Sequence, residues 1–199
     1  MNKKITIGIT GSIGSGKSEF SKIAENSGFP VLRADDISKE FLANDPEVKK
    51  QVIKKFGKES YLNNIPNKKY LAEVVFNNPV KLRELERILH PLVIKEIEKK
   101  KKEIFRKQNI LFVESALIYE ADLENLFDFV VLITADREVR LQRKLSQGMT
   151  EEDFIKREMN QIPDEEKRKR ADFIFQNNGT IEELHSKFNL LLTLLSIKN

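Results

Sequence analysis

Eight residues near the start of the chain have the types and the spacing of a phosphate-binding loop. They read Gly-Ser-Ile-Gly-Ser-Gly-Lys-Ser over 11–18 and fit the pattern G-x-x-x-x-G-K-[ST]. The glycines allow the backbone to curl so that successive N–H groups point at phosphate oxygens. Lys17 is then expected to reach the β- and γ-phosphates as a catalytic cation, and the Ser18 hydroxyl to bind Mg²⁺. The predicted nucleotide-binding residues of this stretch are Gly11, Ser12, Ile13, Gly14, Ser15, Gly16, Lys17, Ser18 and Glu19.

This stretch lies between a predicted strand and a predicted helix, which is the context that the pattern requires. Residues 5–10 form an apolar run before it, and Phe20, Ile23 and Ala24 follow at the spacing of a helix packed on a sheet. The positive end of that helix dipole adds to the attraction for phosphate. An accidental match of a Gly/Ser-rich turn is the alternative, and the surrounding elements argue against it.

Further apolar runs predict that the first strand belongs to a parallel sheet. They alternate with helical patterns, and continuous apolar strands are typical of sheets that are buried on both faces. We predict an α/β fold of the P-loop NTPase type, with three α/β/α layers and a five-stranded parallel sheet. The later strands are expected near 29–32, 110–113, 129–133 and 172–175.

We predict one domain over residues 1–199, divided into a core and two helical parts. The stretch from about 37 to 107 is helical in pattern, with turn-like breaks at Gly57 and 61–66, and is typical of an inserted substrate-binding subdomain. Polar helices from about 141 to 170 predict a lid. The core is expected at about 1–36, 108–140 and 171–199.

Composition narrows the classes of protein to which the chain can belong. There is no cysteine, which excludes disulfides and thiolate metal sites and favours a reducing, cytoplasmic location. No apolar run approaches the ~20 residues that cross a bilayer. The net charge is only +4, and the basic runs 99–102 and 167–170 have glutamates close by. We therefore expect no nucleic acid, membrane or obligate protein partner.

Several shorter motifs follow the loop in an order and spacing that resemble the dephospho-CoA kinase family. The resemblance extends from about Ile5 to Leu195. It implies transfer of the ATP γ-phosphoryl group to the ribose 3′-hydroxyl of dephospho-CoA, which is the last step of coenzyme A biosynthesis. It also implies Mg²⁺ as cofactor and a helical insert that binds CoA. The motifs are residues 8–18, Ala34-Asp35-x-Ile37, His90-Pro91, Ala171-Asp172 and Asn177-x-Gly179.

The resemblance also implies roles for single residues. Asp35 matches the carboxylate that approaches the acceptor hydroxyl, and with Lys17 and Arg143 it completes the predicted catalytic set. Arg143 and Arg157 match basic residues of the lid region, with Arg157 assigned to the substrate. His90 is assigned to the CoA-binding subdomain. Asn177 is expected near the adenine.

Each of these assignments has a structural alternative. Asp35 would instead cap a helix that starts near Ile37, and His90 would be a helix-terminus residue without a ligand. Arg143 and Arg157 would form surface ion pairs. Because these alternatives use the same residue types, the sequence leaves them open.

The chain departs from the family pattern at four positions close to the predicted site. Arg33 and Glu114 stand where aspartates are usual, Ala116 replaces a proline, and Glu19 replaces a common threonine. Glu114, at the end of the third strand, is either the acidic residue of a Mg²⁺ site or a strand-end carboxylate without that role. Arg33 is two residues before Asp35, so in an extended segment both face the acceptor, and Arg33 is predicted to bind substrate.

Two other functions remain as competing hypotheses. One is another small-molecule P-loop kinase, acting on nucleosides or nucleoside monophosphates. The other is a nucleotide-binding module without enzymatic activity, such as a GTP switch. The guanine signature Asn-Lys-x-Asp is missing, since the one similar segment, 67–70, ends in tyrosine.

Overall fold

The computed structural model describes residues 3–195, which divide into two compact units. The first unit contains the described residues up to Arg33 and from Lys101 onward, and the second is Ala34–Lys100. In chain order the strands and helices are β1 (Ile5–Thr10), α1 (Lys17–Asn26), β2 (Val31–Arg33), α2 (Ala34–Asn44), α3 (Pro46–Phe56), β3 (Tyr61–Leu62), β4 (Ile65–Pro66), α4 (Lys68–Phe76), α5 (Pro79–Ile104), β5 (Ile110–Glu114), β6 (Phe129–Thr134), α6 (Arg137–Leu145), α7 (Glu151–Met159), α8 (Asp164–Arg168), β7 (Phe173–Gln176) and α9 (Ile181–Leu194), with short 3-10 turns at Lys58–Ser60 and Glu124–Leu126.

The first unit is built on a five-stranded parallel sheet in the order β2-β5-β1-β6-β7. This confirms the predicted α/β fold. Strand β1 lies in the middle of the sheet, and its Ile7 and Ile9 are fully buried. Because parallel strands end at the same edge, the loop after β1 lies at the centre of the carboxyl edge, where α/β proteins bind their ligands.

Helices α1 and α9 cover one face of this sheet. The ring of Phe20 lies 5.9 Å from that of Phe175 and 5.5 Å from that of Phe188, measured between centroids. Burying aromatic rings of this size contributes much of the hydrophobic stabilisation of a core. On the opposite face Ile118 and Tyr119 are buried and pack with β6.

The second unit has a separate hydrophobic core. Val48, Val52 and Phe56 of α3 are buried against residues of α4 and α5. Asp45 caps α3 by accepting the N–H groups of Glu47 and Val48.

For this segment the sequence predicts helices with turn-like breaks and no strands, and the absence of strands is wrong. Strands β3 and β4 form an antiparallel hairpin within the stretch that the sequence predicts as a turn. Asn63 and Asn64 connect them with φ angles of 49° and 68°. Asparagine tolerates this left-handed conformation, which matches the twist of a tight hairpin. Strands of two residues are too short to produce a detectable alternating pattern.

Candidate active site

The phosphate-binding loop between β1 and α1 closely approaches its neighbours, and two glycines permit this. Gly14 has a φ of 79°, and a Cβ there would lie 2.5 Å from the carbonyl oxygen of Arg140. Gly16, which caps α1, has a φ of 95°, and a Cβ there would lie 2.1 Å from the side-chain nitrogen of Asn177. A larger residue at either position would strain the backbone and displace a neighbour.

Side chains from distant parts of the first unit hold the loop. Asn177 donates a 2.9 Å hydrogen bond to the carbonyl of Ser15, and Ser12 Oγ donates a 2.5 Å hydrogen bond to Asp164. The N–H of Ile13 donates to Gln161 Oε1 at 2.8 Å. These contacts fix the loop by bonds to residues from other elements of the first unit.

Arg140, which the sequence analysis did not single out, is part of this support. Its side chain is 9% exposed, and it donates to the carbonyls of Ala135 at 3.1 Å and Ile13 at 3.3 Å. Its remaining nitrogen lies 2.8 Å from Glu158 of α7. A buried charge is tolerated because it is both paired and hydrogen-bonded. Arg140 thus links α6 and α7 to the loop.

A cavity of about 410 Å³ opens beside the loop, within the size range of small-molecule sites. Loop residues form the polar end of the cavity. The start of α9 forms the opposite end, which is partly apolar because Ile181 and Leu184 line it. Glu19 lines the cavity, but its carboxylate pairs with Lys22 at 2.7 Å. The lining residues are Gly14, Gly16, Lys17, Ser18, Glu19, Arg143, Lys144, Gln147, Asn177, Gly179, Thr180, Ile181 and Leu184.

Cationic side chains dominate the polar end of this cavity. Lys17 and Arg143 line it, and the Arg143 guanidinium lies 3.4 Å from the Gly14 carbonyl oxygen and 3.5 Å from that of Ser15. Burial and then the positive charge of Arg157 lower the pKa of Lys144. Arg157 therefore lies near Lys144, one of the residues that line the cavity. The cavity is suited to a ligand with several negative charges.

Ser18 and Glu114 form a pair of oxygen donors at the base of the loop. Ser18 Oγ donates a 2.6 Å hydrogen bond to Glu114 Oε1. Glu114 Oε2 is buried and has no hydrogen-bond partner among the described residues. The hydroxyl of Ser18 is an oxygen donor of the kind that would hold Mg²⁺, and the buried carboxylate of Glu114 beside it suits the neighbourhood of a hydrated cation. Within residues 3–195 no group of three or more His, Asp or Glu side chains forms a metal site by itself.

The structure gives Arg33 different surroundings from those expected. The expectation that Arg33 and Asp35 share a face of an extended segment is wrong, because β2 ends at Arg33 and α2 begins at Ala34. The guanidinium of Arg33 bonds to both carboxylate oxygens of Glu25, at 2.6 and 2.8 Å, and its Nε lies 3.4 Å from Glu114.

The predicted acceptor residues Asp35 and His90 belong to the second unit. Asp35 is exposed in the first turn of α2, so the alternative of a cap before a helix near Ile37 is wrong. His90 lies in the middle of α5, which continues through Pro91, so it is not a helix-terminus residue. Burial lowers the pKa of His90, which favours the neutral imidazole.

A second buried charge pair was also missed from sequence. Lys167 is fully buried, and its ammonium lies 2.9 Å from Glu120, which also accepts the N–H of Ile162. The pair fixes the segment that carries Gln161 and Asp164, the two residues that hold the loop. The basic run 167–170 contains this lysine, but its composition alone does not distinguish a solvated helix face from a segment that closes over a nucleotide.

No helix in the part of the chain that the structure describes is long and apolar enough to cross a membrane.

The chain is similar to known proteins over most of its length. A family model described as dephospho-CoA kinase matches residues 5–183. A dephospho-CoA kinase of Aquifex aeolicus (strain VF5) is 38% identical over 183 residues, covering 91% of this chain and 92% of that protein.

The chain is also similar in fold to solved structures. A crystal structure from Thermus thermophilus has a TM-score of 0.81 and 31% identity, covering 100% of both chains. The dephospho-CoA kinase from Campylobacter jejuni has a TM-score of 0.69 and 30% identity, covering 96% of both chains. The sequence likeness and the structural likeness thus extend over nearly the whole chain.

Proposed function

This chain belongs to the dephospho-CoA kinase family, and we propose that it transfers the γ-phosphoryl group of ATP to the 3′-hydroxyl of dephospho-CoA at the cavity beside the phosphate-binding loop. The observation that carries the proposal is the joint position of Lys17, Ser18 and Arg143 along one cavity, with Glu114 hydrogen-bonded to Ser18. This set provides cations for the phosphates and oxygen donors for a metal ion in one place.

On the donor side, positioning and charge do most of the work in phosphoryl transfer. Lys17 neutralises charge on the β- and γ-phosphates, and Arg143 adds a second cation from α6. Loop N–H groups bind the remaining oxygens, while Asn177 holds the loop through its bond to the Ser15 carbonyl. A position of Asn177 near the adenine stays a prediction. A cavity that excludes part of the solvent strengthens each of these interactions.

Mg²⁺ would be held by the Ser18 hydroxyl, with Glu114 accepting hydrogen bonds from its water ligands. When bound, it supplies charge neutralisation on the transferred phosphoryl group. Glu114 is one methylene longer than the aspartate of the family pattern, so its carboxylate reaches further from the strand. The 2.6 Å bond to Ser18 supports this assignment over that of a strand-end carboxylate without such a role.

On the acceptor side, Asp35 orients the hydroxyl of dephospho-CoA and accepts its proton late in the transfer. The reference pKa of an aspartate, ~3.9, is far below that of an alcohol, so early deprotonation by this group is unfavourable. His90 and Arg157 are assigned to substrate binding, and the second unit to recognition of CoA. A cytoplasmic location, without nucleic acid or an obligate protein partner, remains a prediction.

The test is a direct assay with purified protein, ATP and Mg²⁺. Each candidate acceptor is supplied in turn, ADP release is measured by a coupled assay, and the product is identified by mass spectrometry. We expect turnover with dephospho-CoA, yielding coenzyme A, and none with nucleosides or nucleoside monophosphates. Phosphorylation of a nucleoside panel instead would favour the competing kinase hypothesis and contradict the proposal.

A further inference from the structure

Two of the residues at which the chain departs from its family pattern lie side by side in the sheet. β2 and β5 are parallel neighbours, and their register pairs Arg33 with Glu114. Arg33 Nε lies 3.4 Å from Glu114 Oε2. Residues at the same register of adjacent strands point to the same face. A cation, Arg33, and a longer acid, Glu114, thus occupy two neighbouring positions where the family pattern has aspartates.

A second carboxylate holds Arg33 from its other side. Both terminal nitrogens of the guanidinium bond to Glu25, and these bonds lower the pKa of that carboxyl. Glu25 belongs to α1, the helix whose first turn carries Lys17 and Ser18. A guanidinium fork held by two parallel bonds has a fixed orientation, unlike a single-point ammonium. Arg33 therefore connects the helix after the loop to the end of β5.

The two oxygens of Glu114 have different surroundings. Oε1 accepts the Ser18 hydroxyl, whereas Oε2 is buried and lies toward Arg33. The Glu114 side chain is 10% exposed, so water screens this attraction only weakly. A glutamate has one more rotatable bond than an aspartate and has more freedom to lose when its carboxylate must occupy one place. The contact with Arg33 restricts that freedom.

We infer that Arg33 is a positioning residue of the metal–nucleotide site, where it holds the Glu114 carboxylate toward Ser18 and compensates for the longer acid. The inference rests on the proposed function, because it requires Ser18 and Glu114 to serve a Mg²⁺-bound nucleotide. It assigns Arg33 to the donor side of the reaction instead of the acceptor side.

The experiment measures ADP binding by calorimetry, once with Mg²⁺ and once with EDTA, without acceptor or turnover. We expect Arg33→Ala to weaken Mg²⁺-dependent ADP binding about fivefold, which is the effect expected for loss of a partly exposed ion pair. ADP binding in EDTA should stay within about twofold of that of the unmodified protein. Arg33→Lys should recover part of the loss, and Glu25→Gln should cause a smaller one. Arg106→Ala, at an exposed arginine, is the matched control.

A double-mutant cycle with Glu114→Gln tests whether the two residues act together. If Arg33 acts through Glu114, Arg33→Ala has no further effect on Mg²⁺-dependent binding in the Glu114→Gln background. Arg33→Asp alone should weaken binding more than Arg33→Asp combined with Glu114→Asp, which restores both aspartates. Additive losses would overturn the inference.

Two other outcomes separate this inference from the proposed function. If the unmodified protein shows no Mg²⁺-dependent ADP binding, the proposed donor site is wrong and the inference fails with it. If that binding is present and unchanged in Arg33→Ala, while the KM for dephospho-CoA rises, Arg33 is an acceptor ligand and the inference alone fails. Thermal unfolding of each variant identifies losses caused by misfolding.

Discussion

The phosphate-binding loop and the first turn of α2 contain the two groups on which the proposed reaction depends, and their surroundings differ. The loop is held by residues that lie more than a hundred positions away, among them Gln161, Asp164 and Asn177. Asp35 is an exposed residue at the start of a helix in a separately packed unit. The proposed donor site is built into the sheet of the first unit, whereas the proposed acceptor carboxylate belongs to the second unit.

Because of this difference, we expect variants in the two regions to affect different steps of the reaction. Residues around the loop should control nucleotide binding and transition-state charge, because their positions are set before any ligand binds. Residues of the second unit should affect the acceptor and leave nucleotide affinity unchanged. Each substitution below tests that expectation.

The largest effect is expected for Lys17→Ala. Removing a cation aimed at charge that develops on the phosphates should lower kcat about 10³-fold. Lys22→Ala is the matched control, since Lys22 lies on the exposed face of the same helix and pairs with Glu19. Steady-state kinetics measures kcat, and circular dichroism checks that the variant is folded. Turnover equal to that of the control would contradict the assignment of the loop.

Asp35→Asn should lower kcat about 10²-fold, while the KM for ATP stays within about twofold, because the carboxylate acts on the acceptor hydroxyl. Asp36→Asn is the control, since Asp36 is adjacent, exposed and paired with Lys39. A large loss of ATP affinity with kcat retained would indicate that Asp35 acts on the nucleotide. The expected separation between nucleotide effects and acceptor effects would then be wrong.

Arg143→Ala should reduce kcat about tenfold and change the melting temperature little, because the contacts of the guanidinium with the Gly14 and Ser15 carbonyls are long, at 3.4 and 3.5 Å. Arg137→Ala, on the exposed side of the same helix, serves as control. Equal losses of rate and thermal stability would indicate that Arg143 supports the fold instead of the reaction.

The smallest effect concerns His90 and the pH dependence of stability. Burial lowers its pKa in the folded state, so between that pKa and the unfolded value of ~6.5 the unfolded chain binds more protons. The free energy of unfolding should therefore fall as the pH drops below about 6.5, and His90→Gln should reduce this slope. Urea unfolding at a series of pH values measures it, with His185→Gln as control. An unchanged slope would show that burial of His90 is not coupled to folding.

Local signals in the sequence were sufficient for the donor loop and for most elements. The G-x-x-x-x-G-K-S pattern needs only its own residues and the flanking strand and helix, and Asp45 and Thr180 cap helices through bonds to nearby N–H groups. The hairpin around Asn63 was missed because two-residue strands carry no periodic pattern. The roles of Asp35, His90 and Arg157 stay predictions.

By itself the sequence determined the phosphate-binding loop, the parallel strands and the family. Tertiary structure alone decided which side chains support the loop. The bond between Ile13 and Gln161 joins residues 148 positions apart, and the contact between Arg33 and Glu114 exists because β5 lies between β1 and β2. The sequence leaves the role of the basic run 167–170 open, and only the fold places the ammonium of Lys167 beside Glu120. Such contacts depend on strand order and on the burial of charge, and neither leaves a periodic signal in the sequence around a residue.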